Sequence, residues 1–371
     1  METSLDHAVI HRLITNQLDE SAVADQSIAG IIGDGPSHYS KSPALWNAAF
    51  HQLRMNAIYL PFDVDEAHVG ALLRALQSSR RFMGVNVTVP HKMLVIKYLD
   101  ALDAEAARIG AVNTIVKDAQ GRLTGYNTDG RGFIDSLLLT PPGRRNPFLE
   151  SLDGMNVLLL GAGGSARAVA FQLSDSIGKG KLIIANRTRS HAESLAGDIT
   201  KLGRQALAID ESGIPHWATR VGLIVNSSTK GQGGIRKLSD GRSTMLAAYS
   251  ALAPANPPLL VDTGGAPGDF EKQWREMAQA DIVSNNQSSE SLVQSIPRAT
   301  RFYDLVYHPE ETLFLRQGRL TGHPTLNGAN MIVRQAALAF CNRICLQQLI
   351  AMNKNDDEIF RAVTEVMFRA W

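Results

Sequence analysis

Lys92 and Asp129 are the side chains of this sequence whose setting best suits chemistry. Lys92 closes the segment Gly84-Val85-Asn86-Val87-Thr88-Val89-Pro90-His91-Lys92, and Asp129 stands in Gly125-Tyr126-Asn127-Thr128-Asp129-Gly130. Each segment sets one ionisable group among small and amide residues at the end of a strand-like run. An amine and a carboxylate brought together in this way can pass a proton to or from a hydroxyl. Lys92 also precedes the apolar run Met93–Leu99, read here as a helix. A helix N-terminus gives an amine a positive local potential and a nearby carboxylate opposes it, so such a pair can be poised for acid–base work. Read alone, the same residues equally fit a solvated lysine and an aspartate capping the next helix.

A second motif, Gly161-Ala162-Gly163-Gly164-Ser165-Ala166, follows the strand-like Met155–Leu160 and opens the alanine-rich helix Ala166–Ser174. Its glycines permit a tight turn and close backbone approach, and the helix N-terminus offers N–H groups to a pyrophosphate. The next strand, Lys181–Ala185, ends in Asn186-Arg187-Thr188-Arg189 rather than in the carboxylate that grips a ribose 2′-hydroxyl. The planar, permanently charged fork of Arg187 suits a 2′-phosphate, so the sequence favours NADP over NAD. A proton relay working beside a nicotinamide means alcohol–ketone redox chemistry.

The elements that must position these groups form an α/β pattern. Strand-like runs occur at Ile28–Gly33, Ala57–Val64, Gly84–Val89 and Ala111–Lys117, with helix-like runs between them. Ser42 with Pro43 reads as a cap and first helical residue. The loop-forming run Pro141–Pro147 marks a domain crossing, and a second α/β unit follows with a further strand at Val221–Asn226. The sequence therefore predicts a polar N-terminal extension over residues 1–26, with an amphipathic helix near His7 to Leu18. A first domain spans 27–140 and is completed by 327–371, and a Rossmann-like domain spans 141–326. Within the latter, residues 232–302 form an atypical insert, with a strand-like Pro258–Asp262 and helices near Phe270–Ala280 and Ser289–Ile296. Asn327–Gln348 and Asp356–Ala370 read as helical.

With 37 basic and 36 acidic residues in 371, no global field favours nucleic acid or anionic lipid. No apolar run approaches the roughly 20 residues that span a bilayer, and the first thirty residues lack an apolar signal core. The expected setting is cytoplasmic, with small molecules as partners and the chain a monomer or homodimer. The two cysteines, Cys341 and Cys345, read as buried thiols, and no metal site is expected.

Ser40, Ser42, Asn86, Thr88, Asn113 and Gln335 are short neutral hydrogen-bonding groups of the kind that suit a polyhydroxylated substrate. With Ser40-Lys41-Ser42-Pro43, Asn86–Lys92, Gly110-Ala111-Val112-Asn113-Thr114, Asn127-Thr128-Asp129, Gly161–Ala166, Asn186-Arg187-Thr188, Tyr303–Pro309 and Gly328-Ala329-Asn330-Met331 with Gln335, they form an ordered set over residues about 28 to 340. In that set the chain resembles the shikimate/quinate dehydrogenase family. The resemblance implies reversible NADPH-dependent reduction of 3-dehydroshikimate to shikimate, in aromatic amino-acid biosynthesis. It implies Lys92 and Asp129 as the catalytic pair and Ser40 and Ser42 as holders of the substrate carboxylate, with Tyr307 closing that side. Asn86, Thr88, Asn113 and Gln335 would bind ring hydroxyls. Gly161, Gly163, Gly164, Ser165, Ala166, Asn186, Arg187, Thr188, Arg189 and Ser228 would hold the dinucleotide, with Val306 and Gly328 approaching the nicotinamide. The implied fold is a substrate domain and a Rossmann-like NADP domain with a cleft between them.

The chain departs from the family pattern in several places. Tyr39 replaces the histidine usual before the first serine, Asn226–Gln232 is a loosened version of the family's Asn-Ala-Thr motif, and His191 stands where a second basic contact to the 2′-phosphate is common. Asp262–Pro267 imitates an Asp-x-x-Tyr-x-Pro element without its tyrosine, so that element is assigned to Asp304–Pro309. A quinate or dual-specificity enzyme using NAD is the competing reading, and a non-catalytic ligand-sensing relative is a remoter one.

Overall fold

Ile28 and Ile32 contribute to one buried core and Ala29 and Ile31 to another, the period-two signature of a strand covered on both faces. In the computed structural model, which describes residues 7–18, 25–238, 240–261 and 268–371, this strand lies second from one edge of a six-stranded sheet. The described chain divides into two units. One comprises residues up to Phe148 with Arg167–Val169 and Asn330–Trp371, and the other comprises Leu149–Ala166 and Ala170–Ala329.

In the first unit the strands are β1 (Ser27–Gly33), β2 (Ala57–Asp63), β3 (Phe82–Val87), β4 (Ala101–Leu102), β5 (Thr114–Lys117) and β6 (Leu123–Tyr126), ordered β2-β1-β3-β5-β6-β4. β1, β2 and β3 run parallel, whereas β5 is antiparallel to both β3 and β6. The ends of β1, β2, β3 and β6 and the start of β5 therefore share one edge of the sheet. Helix Val69–Ser78 covers one face, and helices Ser42–Leu53, Ala329–Ala339 and Asp357–Ala370 cover the other. There Trp46 stacks on Tyr59, with ring centroids 4.7 Å apart.

Several elements differ from expectation. The helix near the N-terminus is only His7–His11, yet Ile10, Ile14 and Leu18 are buried in the first core, so this stretch is a packing element. Its Asn16 side chain accepts from Asp63 N–H at 2.8 Å and donates to Pro61 C=O at 3.0 Å, while Thr15 N–H reaches Asp63 C=O at 2.9 Å. On the same outer side of β2, the Asn47 amide accepts from Tyr59 N–H at 2.8 Å and donates to its carbonyl at 3.2 Å. Ser42 is not the cap of its helix: Ser40 Oγ accepts from Ser42 N–H at 3.2 Å. The Met93–Leu99 run is a 3-10 helix, Leu94–Tyr98, and β5 begins at Thr114, leaving Ala111–Asn113 as the loop that enters it.

The second unit is built on a parallel sheet of β7 (Val157–Leu160), β8 (Leu182–Ala185), β9 (Ala206–Ile209), β10 (Leu223–Asn226), β14 (Arg301–Asp304) and β15 (Thr325–Leu326), ordered β15-β14-β10-β7-β8-β9. The chain order reverses between β7 and β10, and such a switch point is where ligands settle in open α/β sheets. The insert forms an antiparallel sheet of β11 (Ile235–Lys237), β12 (Arg242–Met245) and β13 (Leu260–Val261), followed by one helix of 27 residues, Asp269–Ser295. The two helices expected there are thus continuous; in the stretch between them Val283, Ser284, Gln287 and Ser288 are exposed while Asn285 is buried. Tyr249, Trp274 and Ala278 give this lobe its own small core. Asp262–Pro267, including the imitation element, lie outside the described residues. The C-terminal helical stretch divides into Ala329–Ala339, a π-helical turn Phe340–Ile344 and Leu346–Ala351. Among the described residues no helix is long and apolar enough to cross a membrane.

Candidate active site

Sheet register brings the candidate site of the first unit together. Asn86 of β3 pairs with Thr114 of β5, and Thr114 pairs with Tyr126 of β6. One step beyond that row, Val87 N–H donates to Asn113 C=O at 2.8 Å and Asn113 N–H donates to Tyr126 C=O at 3.0 Å. The segments carrying Lys92, Asn113 and Asp129 thus leave neighbouring strands side by side. Val112 N–H donates to Lys92 C=O at 2.7 Å and ties the lysine turn to the Asn113 loop.

Lys92 Nζ lies 2.5 Å from Asp129 Oδ2, with the lysine 9% and the aspartate 2% exposed. Asp129 is the first residue of helix Asp129–Leu138, where the helix dipole favours a negative charge. Its N–H donates to Asn127 Oδ1 at 3.0 Å. The other carboxylate oxygen accepts from Asn113 Nδ2 at 2.8 Å. Asn113 Nδ2 also reaches Gln335 Oε1 at 2.7 Å and Thr128 Oγ1 at 2.9 Å, while Asn113 Oδ1 accepts from Thr128 N–H and from the Thr114 hydroxyl. Helix Asp129–Leu138 comes close enough for Gln335 because Gly132 has no side chain; a Cβ there would sit 2.6 Å from Gln335 Cβ.

The network continues outward from Asn113. Asn86 Nδ2 donates to Thr114 Oγ1 at 3.0 Å, and the Tyr59 hydroxyl donates to Asn86 Oδ1 at 2.7 Å. Burial pushes the Tyr59 phenol well above its ordinary range, opposed by a hydrogen bond with Ser42. Ser42, Asn86, Asn113, Gln335, Lys92 and Asp129 therefore belong to one hydrogen-bonded cluster, with Ser40 on the Ser42 amide. Thr88 follows β3, half-buried, its N–H on Ile32 C=O. Tyr59, Thr114 and Thr128 are cluster members that the sequence reading missed. Thr114 and Thr128 sit in the Asn-Thr pairs at 113–114 and 127–128, a repeated signal that marked them.

In the second unit, Gly161 ends β7 at φ 117°, and a Cβ there would meet Ser227 Oγ at 2.9 Å and Ser228 N at 3.0 Å. Glycine alone lets the β7 loop lie against the loop after β10. Helix Gly164–Ser176 starts behind Gly163 with no side-chain cap, and nothing crowds the position where a Gly163 Cβ would stand. Open space facing uncapped N–H groups fits a dinucleotide pyrophosphate. Arg187 is exposed after β8 and makes no ion pair among the described residues. Arg189, by contrast, is held by Glu193 at 2.8 Å and Asp210 at 3.8 Å. Asn186 Nδ2 braces the turn by donating to Thr188 C=O at 2.9 Å.

Asn226 Oδ1 accepts from Ser228 N–H at 3.0 Å and Ser228 Oγ at 2.7 Å. Its Nδ2 donates to Lys230 C=O at 3.0 Å and to Asp304 Oδ1 at 2.9 Å. Asp304 is fully buried and also accepts from Val306 N–H at 2.9 Å and Thr312 Oγ1 at 2.6 Å. Burial pushes its carboxyl up to about 7 against these three donors. Val306 is buried, Tyr307 is half-buried with its phenol pushed up to about 12 by desolvation, and Gly328 packs on Leu305.

Known proteins are similar to this chain over most of its length. Residues 31–115 match the model of the shikimate dehydrogenase substrate binding domain, and residues 146–285 match that of shikimate / quinate 5-dehydrogenase. A shikimate dehydrogenase (NADP(+)) of Moorella thermoacetica is 35% identical over 324 residues, covering 85% of this chain and 88% of the relative. The shikimate 5-dehydrogenase of Thermus thermophilus, solved with NADP(H) and shikimate, superposes with a TM-score of 0.61 at 27% identity, over 93% of this chain and 99% of that one. A quinate dehydrogenase from Corynebacterium glutamicum with NAD gives 0.63 at 26%, over 93% and 99%. Two family models in succession and a relative matched along most of both chains place this protein in the shikimate dehydrogenase family.

Proposed function

We propose that this chain catalyses the reversible reduction of 3-dehydroshikimate to shikimate with NADPH, residues 27–140 and 327–371 forming the substrate domain and 141–326 the cofactor domain. The observation that carries the reading is the buried Lys92–Asp129 pair, with the second Asp129 oxygen fixed by Asn113. NADPH, when bound, supplies the hydride for the ring carbonyl. Lys92 hydrogen-bonds that carbonyl oxygen and gives it a proton as it becomes a hydroxyl, and takes the proton back in the oxidative direction. Asp129 keeps the amine oriented and compensates its charge in a site that excludes most water.

Ser40 and Ser42 hold the substrate carboxylate with Tyr307 closing that side, and Asn86, Thr88, Asn113 and Gln335 bind the ring hydroxyls. The dinucleotide rests on Gly161, Gly163, Gly164, Ser165 and Ala166, with Asn186, Arg187 and Thr188 at the 2′-phosphate. Arg189 and Ser228 flank it, and Val306 and Gly328 lie towards the nicotinamide. The relatives named for NADP(+) and the exposed Arg187 support NADP over NAD. A cytoplasmic monomer or homodimer with small-molecule partners is part of the proposal; the near balance of 37 basic and 36 acidic residues gives no global field that would favour nucleic acid or anionic lipid instead.

Steady-state rates with shikimate and quinate, each with NADP and NAD, test the assignment. Shikimate with NADP is expected to turn over fastest; faster turnover of quinate with NAD would overturn it and favour the activity of the Corynebacterium neighbour.

A further inference from the structure

The loop after β10 is pinned from outside by Lys230, which lies within the loosened Asn226–Gln232 motif. Lys230 is largely buried, its side chain 11% exposed, and its Nζ lies 2.6 Å from Glu211 Oε1 and 2.7 Å from Ala253 C=O. Burial, and to a smaller extent the charge of Arg187, pull the Lys230 ammonium below the usual lysine range, and Glu211 opposes them. The backbone of the same residue closes the cofactor loop, its carbonyl taking Asn226 Nδ2 and its N–H reaching Ser228 Oγ at 3.3 Å.

Ala253 belongs to the inserted lobe and is itself held. Asn285 of helix Asp269–Ser295, 2% exposed, accepts from Ser250 N–H at 2.9 Å. It donates to the carbonyls of Ser250, Ala253 and Pro254 at 3.1, 3.0 and 2.9 Å. A continuous chain of hydrogen bonds thus runs from the inserted helix through Ala253 and Lys230 to Asn226 and Ser228. Gly231 N–H adds a parallel link to Leu246 C=O at 2.9 Å. A buried ammonium retains one geometry only while its partners stay in place, because an unpaired buried charge is costly.

We propose that Lys230 is a positioning residue through which the inserted lobe sets the conformation of cofactor loop 226–231, so that the lobe is part of the machinery for NADPH binding. The proposal rests on the functional reading above. Each cation at this end of the sheet has its own role, since Asp210 and Glu211 engage Arg189 and Lys230 and leave Arg187 for the nucleotide.

The test is equilibrium binding of NADPH to the full chain, with melting curves to establish folding and steady-state kinetics alongside. Lys230→Met is expected to weaken NADPH binding about tenfold, within the usual range of coupling between sites. Its kcat at saturating NADPH and its KM for shikimate should stay near wild type, a split that general loss of structure would not give. Asn285→Ala, on the lobe, is expected to weaken NADPH in the same direction, and the double variant to be no weaker than Lys230→Met alone. Glu211→Gln, which leaves the lobe's own contacts intact, tests the Lys230 anchor from its other side and is expected to weaken NADPH in the same direction. Wild-type NADPH affinity in Lys230→Met, or in both of the other variants when folded, would overturn the coupling. Failure of the unaltered chain to bind NADPH would instead overturn the functional reading.

Discussion

Asn113 donates to one oxygen of Asp129 at 2.8 Å while the other oxygen, 2.5 Å from Lys92 Nζ, holds the lysine. The carboxylate therefore cannot rotate without losing a bond on one side, and the amine inherits a fixed direction.

Removing that amine should abolish the chemistry before it abolishes binding. Lys92→Ala is expected to lower kcat by roughly 100- to 10,000-fold, the range for a positioned acid–base group, while shikimate binding remains measurable by calorimetry. Because the change strands a buried carboxylate, Lys92→Gln, which can still donate to Asp129, is the companion variant and should show the same loss with less destabilisation. Wild-type turnover in either would sink the assignment.

The two arginines after β8 should behave differently. Arg187→Ala is expected to raise KM for NADPH by about 10- to 100-fold, the worth of hydrogen bonds to a charged group, with little change for NADH. Arg189→Ala, whose guanidinium is already engaged by Glu193 and Asp210, should have the smaller effect. Cofactor titrations of both variants decide it, and a reversed order would assign the 2′-phosphate to Arg189.

Asp304 should leave a mark on stability against pH. Its folded-state value of about 7 lies above that of an unfolded carboxyl, about 3.9. Between these limits the folded chain binds more protons, so this group's contribution falls as pH rises, by about 1.4 kcal/mol per unit, and levels off above its folded value. The melting temperature of Asp304→Asn relative to wild type should therefore climb from pH 5 to about 7 and then flatten. A difference that is constant over this interval would contradict the assignment.

Asp63 ends β2 and holds the segment leading to the two serines, accepting from Ser37 N–H at 2.8 Å and Ser37 Oγ at 2.5 Å. Asp63→Asn loses one acceptor and is expected to raise KM for shikimate about tenfold, the effect of one such bond, with KM for NADPH unchanged. Initial rates with each substrate varied in turn check the split.

Much of this was legible in the sequence because it is local. The glycine loop announces itself by a strand before and a helix after, and the Asn-Thr pairs sit at strand ends where side chains converge. Read locally, Lys92 and Asp129 could be placed at two strand ends but joined only through the family resemblance, since their contact depends on the β3–β5–β6 register, a long-range property. Tyr59 was hidden for another reason: in an apolar strand a tyrosine reads as core, and only the structure shows its hydroxyl on Asn86. Lys230, Glu211, Ala253 and Asn285 carry no shared motif. The polar stretch between the two expected insert helices looked like a break because its residues weaken the apolar period, yet it continues the helix as solvated surface. Asn285 within it packs inward.

The outer side of β2 has a bearing on how copies of this chain meet in solution. Asn47 and Asn16 occupy the main-chain groups of Tyr59, Pro61 and Asp63 much as a further strand would, with Thr15 completing the row. Strand edges left open act as templates for aggregation. Here two side-chain amides do the blocking, so a chain shortened past Leu18 would lose the Asn16 and Thr15 half of that guard, and with it Ile10, Ile14 and Leu18 from the core they share with Leu60 and Phe62. Such a fragment would be prone to self-association through the bared edge, making Ile10 to Leu18 a safeguard on the shelf life of the enzyme as well as part of its packing.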